Sequence, residues 1–131
     1  MTTKSTEKKF PTSFKQLEGR AVMFCLVNQK KPSGKAFARY ENYKVATNLT
    51  DAHKAGFTSL DYQYDTGING RFKRIPVLCF VQGINISKNT KDILLQVIKL
   101  NKEAAANFSK EIKEKLTANI AKFEKLAAEI K

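Results

Sequence analysis

An α+β fold follows from three features of the sequence. Two apolar runs rich in strand-forming residues lie at 21–27, Ala-Val-Met-Phe-Cys-Leu-Val, and at 75–81, Ile-Pro-Val-Leu-Cys-Phe-Val. The stretch between them carries apolar residues at short helical spacings and is punctuated by glycines. From residue 84 to the end there is neither Gly nor Pro, and from about residue 90 the chain is built from good helix formers. The expected architecture is a small sheet of two or more strands with short helices, open to a winged helix-turn-helix-like core, followed by a long C-terminal amphipathic helix.

Residues 1–11 are polar and basic without periodicity and end at Pro11, which describes a flexible basic arm. Thr12 or Ser13 is placed to cap a short helix through Leu17. The run 21–27 reads as a buried strand because it lacks the polar alternation of a half-exposed one. Pro32 and Gly34 make 28–35 a turn. Phe37, Tyr40, Tyr43 and Val45 or Ala46 then recur at helical steps, which predicts a helix over 35–46. Capping residues at 47–50 precede a short helix at 51–55 that Gly56 stops, and Thr58 or Ser59 starts another through Tyr64, ended by Gly67. Pro76 suits the first residue of a strand. The small basic α+β domain therefore spans 12–86, and the helical part spans 87–131.

In that last part Leu94, Ile98, Ala105, Phe108, Ile112, Leu116, Ile120, Phe123, Ala127 and Ile130 follow steps of three or four, with Asn101 the polar interruption. A continuous helix of this length would reach about 60 Å at ~1.5 Å per residue, more than so small a domain covers with its own core. The far half of the stripe, from Phe108 to Ile130, is thus expected to meet a partner helix or a second copy, unless the chain folds back near Asn107 as a hairpin. Its Lys and Glu residues interleave, as on a water-facing surface.

Composition narrows the function. The chain has 131 residues, with 42% hydrophobic residues and nine Phe, which suits a folded domain with one modest core. Twenty-four Lys and Arg oppose twelve Asp and Glu, a formal net charge of +12 that calls for a polyanionic partner. Most of the surplus falls in residues 1–74. Catalysis has little to build on. His53 is the one histidine and sits beside Lys54, no zinc spacing or phosphate-binding glycine loop is present, and no cofactor or metal is expected. Asp61 and Asp65, one helical turn apart, read as solvated or paired with nearby cations. Cys25 and Cys79 lie among large apolar residues and read as buried thiols. No run is apolar enough to span a membrane and the first residues lack a leader's apolar segment, so the expected location is intracellular or inside a virion.

The basic clusters are the candidate site. Lys30, Lys31 and Lys35 flank the turn at Pro32 and Gly34, with Arg39 one helical turn on. Arg71, Lys73 and Arg74 surround Phe72, an arrangement that grips phosphates while the ring stacks on bases. Between residues 47 and 68, Ala52 and Gly56 four apart, followed by Phe57, resemble a helix-turn-helix pattern. That resemblance implies Leu60 and Tyr64 as anchors of the second helix, Ser59 and Gln63 toward a groove, and 69–81 as a wing. Asp61 and Asp65 depart from it, because carboxylates are repelled by phosphates; the alternative is an ordinary helical corner. The expected function is non-enzymatic binding of nucleic acid, DNA before RNA, of architectural or packaging type, with association through the C-terminal helix. The alternative is a structural component of a large assembly, such as a viral shell or ribonucleoprotein particle, acting through protein contacts.

Overall fold

A computed structural model describes residues 19–67, 77–84 and 86–130. Among them the chain forms a two-stranded antiparallel sheet and five α-helices, a mixed α+β fold. Strand β1 is Val22–Phe24 and strand β2 is Cys79–Val81. Val22 faces Val81, Met23 faces Phe80 and Phe24 faces Cys79. All six residues are buried, as the unbroken apolar runs require. Backbone bonds from Cys25 N to Leu78 O (2.8 Å) and Gln82 N to Ala21 O (3.0 Å) extend the pairing at each end.

The three helices between the strands are short. Helix α1, Lys35–Tyr43, starts at Gly34, stops three residues short of the predicted end, and buries Tyr40 and Tyr43. Their rings join Phe24 and Phe57 in a cluster, with centroids 4.9 Å apart for Tyr43 and Phe57 and 5.1 Å for Phe24 and Phe57. Helix α2, Leu49–Lys54, is capped by Asn48, whose side chain accepts from Asp51 N. Gly56, at φ 110°, turns the chain where a side chain would be strained. Helix α3, Ser59–Thr66, opens with a reciprocal capping box between Thr58 and Asp61 and closes on Gly67 in the left-handed region.

The C-terminal part is two helices rather than one. Helix α4, Lys91–Ala105, follows a short 3-10 turn at Lys88–Thr90, and helix α5, Lys110–Ala128, begins after Ser109, whose hydroxyl accepts from Ile112 N. They pack against each other and onto the sheet. Of the alternatives for the far half of the stripe, the structure shows the fold-back near Asn107. Leu116, Ile120, Phe123 and Ala127 are buried in the chain's own core, and Phe108, Ile112 and Ile130 are half-buried. The fold-back places Leu116, Ile120, Phe123 and Ala127 over apolar surface already present among the described residues.

The two buried asparagines of the helical pair explain why polar residues interrupt its stripe. Val22, Phe24 and Leu26 turn their backbone groups away from β2. Val22 N donates to Thr47 O (3.0 Å). Val22 O accepts from Asn119 Nδ2 (2.8 Å) and Phe24 O from Asn101 Nδ2 (2.9 Å), while Leu26 N donates to Asn101 Oδ1 (2.8 Å). Each buried main-chain group thereby gains the partner that a third strand would have supplied.

Candidate nucleic-acid interface

The expected phosphate-binding cations do not share one fate. Lys31 and Lys35 are exposed, and neither has an ion-pair partner among the described residues. They stand beside the N-terminal end of α1, where Gly34 offers no side-chain cap and the first turn holds no acidic residue. The partial positive charge of a helix N-terminus is therefore not offset there.

Lys30 requires a correction. It is only 8% exposed, and its ammonium group pairs with Asp65 Oδ1 while lying 4.7 Å from the Tyr64 ring centroid and 5.7 Å from that of Tyr40. Asp65 Oδ2 accepts from the Tyr43 hydroxyl (2.8 Å). Burial pushes the Asp65 carboxyl above its ordinary range, against the pull of Lys30 and Tyr43. Lys30 thus belongs to the core, as the counter-ion of a buried carboxylate.

Arg39 is committed in part. Its Nη2 donates to Asp61 Oδ1 at 2.7 Å, although 45% of its side chain remains exposed. Burial pushes the Asp61 carboxyl up, but hydrogen bonds from Arg39 and from the Thr58 backbone and hydroxyl outweigh it and hold it below the usual range. Lys44 likewise pairs with Glu41 (2.8 Å). Arg71, Phe72, Lys73 and Arg74, the basic arm and most of the wing segment lie outside the described residues.

Helix α3 reverses the orientation that the helix-turn-helix resemblance implied. Leu60 and Tyr64 are 57% and 40% exposed, whereas Asp61 and Asp65 are 4% and 0% exposed. The ion pairs with Arg39 and Lys30 hold Asp61 and Asp65 on the inward face beside the buried Tyr62, and Leu60 and Tyr64 are left exposed. Ser59, expected in a groove, is exposed, and Gln63 is half-buried. His53 is exposed, with Nδ1 2.9 Å from Phe57 O. Cys25 and Cys79 are buried, and burial pushes both thiols up.

Comparison with protein-family models, curated proteins and solved structures finds no match to this chain.

A second feature was not anticipated from the sequence. An open cleft of about 750 Å³ runs between α5 and the segment that joins α1 to α2. Helix α5 contributes Lys115, Asn119 and Lys122, and the facing side contributes Asn42, Asn48 and Gln82. The signal available in the sequence was the spacing of 115, 119 and 122, which puts those residues on one side of a helix beside the apolar stripe.

Proposed function

We propose that this protein binds nucleic acid without catalysis, gripping phosphates through the corner formed by Lys31, Lys35 and the N-terminal end of α1. The observation that carries the reading is the contrast within residues 30–44. Lys30, Arg39 and Lys44 each meet a carboxylate, and Lys31 and Lys35, in the same short stretch, meet none among the described residues. Two unpaired ammonium groups beside an uncapped helix end favour an anion. The chain's net charge of +12 makes that anion a polyanion rather than a lone phosphate.

Contacts of this kind follow a backbone without reading bases, which suits an architectural or packaging role on duplex DNA. A winged helix-turn-helix mode fits less well, because the outward face of α3 leads with Leu60 and Tyr64. That same face favours the second reading, a component of a larger assembly held by protein contacts, since exposed apolar residues on one helix face suit a protein neighbour.

The test is fluorescence anisotropy of a labelled duplex across a salt series. Affinity is expected to fall linearly on a log-log plot, and the Lys31→Glu/Lys35→Glu variant to reduce that slope by about 2. Binding that is absent at low salt, or indifferent to salt, removes the polyanion reading. A slope unchanged in the double variant moves the contact away from α1.

A further inference from the structure

We infer that the cleft between α5 and the segment joining α1 to α2 is a nucleotide-binding site, with a phosphate held by Lys115 or Lys122 and the ring and sugar against the amide-bearing wall. Its choice of a nucleotide over other phosphorylated ring compounds rests on the nucleic-acid function proposed above. The site itself is separate from the Lys31 and Lys35 corner.

Charge comes first. Lys115 and Lys122 are exposed, line the cleft and have no ion-pair partner among the described residues. Seven residues apart, they stand two turns from each other, about 10 Å along the axis at ~1.5 Å per residue. Asp51 is the one carboxylate among the lining residues, and its Oδ2 accepts from Asn48 Nδ2 (3.0 Å). Two ammonium groups against one hydrogen-bonded carboxylate leave the cleft selective for anions.

The uncharged groups decide which anion. The wall facing the lysines carries the uncharged Asn42, Asn48 and Gln82, which suits a ligand with an anionic end and a neutral polar body. Asn48 is engaged with Asp51 through both of its amide atoms, so the amides of Asn42 and Gln82 are the ones that present donor and acceptor together, as the edge of a nucleobase does, and that also suit sugar hydroxyls. Asn119 is 6% exposed and holds its Nδ2 on Val22 O, which fixes its position at the cleft between the two lysines. Ala21, Val45 and Ala55 add aliphatic lining for the faces of a ring, and Ala118 on α5 keeps the space between Lys115 and Lys122 open. A volume of about 750 Å³ accepts such a ligand, since small-molecule sites span roughly 300–1,000 Å³.

The nucleotide could be free or one unit of a single strand, and the experiment separates the two. Side-chain amide signals of Asn42, Asn48 and Asn119 are followed by NMR during titration with adenosine monophosphate, cytidine monophosphate, inorganic phosphate and a short single-stranded oligonucleotide. The nucleotides are expected to shift these signals saturably in the millimolar range or tighter. Inorganic phosphate should bind at least about tenfold more weakly, and Lys115→Glu/Lys122→Glu should weaken nucleotide binding by about tenfold or more. Both lysines are exposed, so that variant should fold, and Ala118→Leu narrows the cleft without changing charge as an independent block. Lys31→Glu/Lys35→Glu should leave the shifts intact.

Tighter binding of the oligonucleotide than of the mononucleotides assigns the site to a strand, and the reverse order assigns it to a free nucleotide. Amide signals unmoved by any nucleotide overturn the inference, and so does inorganic phosphate that saturates the site equally well. Loss of duplex binding with the nucleotide shifts retained refutes the polyanion reading and keeps this one; the opposite pattern does the reverse.

Discussion

Helix α5 buries an apolar stripe, whereas helix α3 buries two carboxylates beside one aromatic ring, Tyr62. In α5 the apolar stripe of Leu116, Ile120, Phe123 and Ala127 faces the core and the charged residues face water. In α3 the carboxylates of Asp61 and Asp65 face the core and Leu60 and Tyr64 face water. Apolar periodicity identifies a buried face only where the neighbouring surface is apolar too. Where the neighbours are Lys30 and Arg39, a pair of ion pairs and a tyrosine hydroxyl decide which side turns inward, and a pattern of apolar residues then points the wrong way.

The largest expected effect sits in α5. Phe123→Ala should cost about 3–5 kcal/mol, because a fully buried ring leaves a cavity against both the sheet and α4. Urea unfolding would measure it, and a cost under about 1 kcal/mol would mean that α5 does not pack as described.

In α3 the comparable loss comes from charge. Lys30→Met strips the cation from a buried carboxylate and should cost about 3 kcal/mol, whereas Lys30→Met/Asp65→Leu, which removes both charges, should recover most of it. No recovery in the double variant would assign Lys30 a role beyond that of counter-ion.

A smaller effect distinguishes the two carboxylates by pH. The folded value of Asp61 lies below its unfolded value of about 3.9, so Asp61 contributes stability above that pH and loses it as pH falls through the folded value. The folded value of Asp65 is raised, so its contribution has the opposite sign and declines as pH rises from about 3.9 through that value. Asp61→Asn should therefore flatten the acid limb of urea midpoints measured against pH, and Asp65→Asn should steepen it. Equal slopes in both variants would contradict the opposed shifts.

The smallest change belongs to the outer face of α3. Leu60→Ser should stay within about 0.5 kcal/mol of the parent, since that side chain is already 57% exposed. A larger loss would show that this face is covered in solution.

These contrasts also explain how far the sequence could be read. The strands at Val22–Phe24 and Cys79–Val81 and the caps at Asn48, Thr58 and Gly67 were legible because each depends on residues within a few positions. The break near Asn107 was an open alternative, and Ser109 as an N-cap marks it locally. Lys30 read as a phosphate ligand because its carboxylate lies 35 residues away, and Arg39 for a similar reason, with Asp61 22 residues on. Local patterns show that a cation exists but not that a distant acid already holds it. The cleft was hidden for the same cause, since Lys115 and Lys122 meet Asn42, Asn48 and Gln82 only through the tertiary fold.

The amide bonds of Asn101 and Asn119 to β1 carry a consequence for how the chain is made. They join residues 75 to 97 positions apart, so the first strand emerges during synthesis long before the groups that close its outer edge. Until α4 and α5 have been synthesised and docked, Val22, Phe24 and Leu26 present an open, apolar strand margin of the kind that pairs with other chains. A chain cut short before α5 would lack the donor to Val22 O and should precipitate rather than persist as a smaller domain. The last helix is in this sense a built-in chaperone for the first strand.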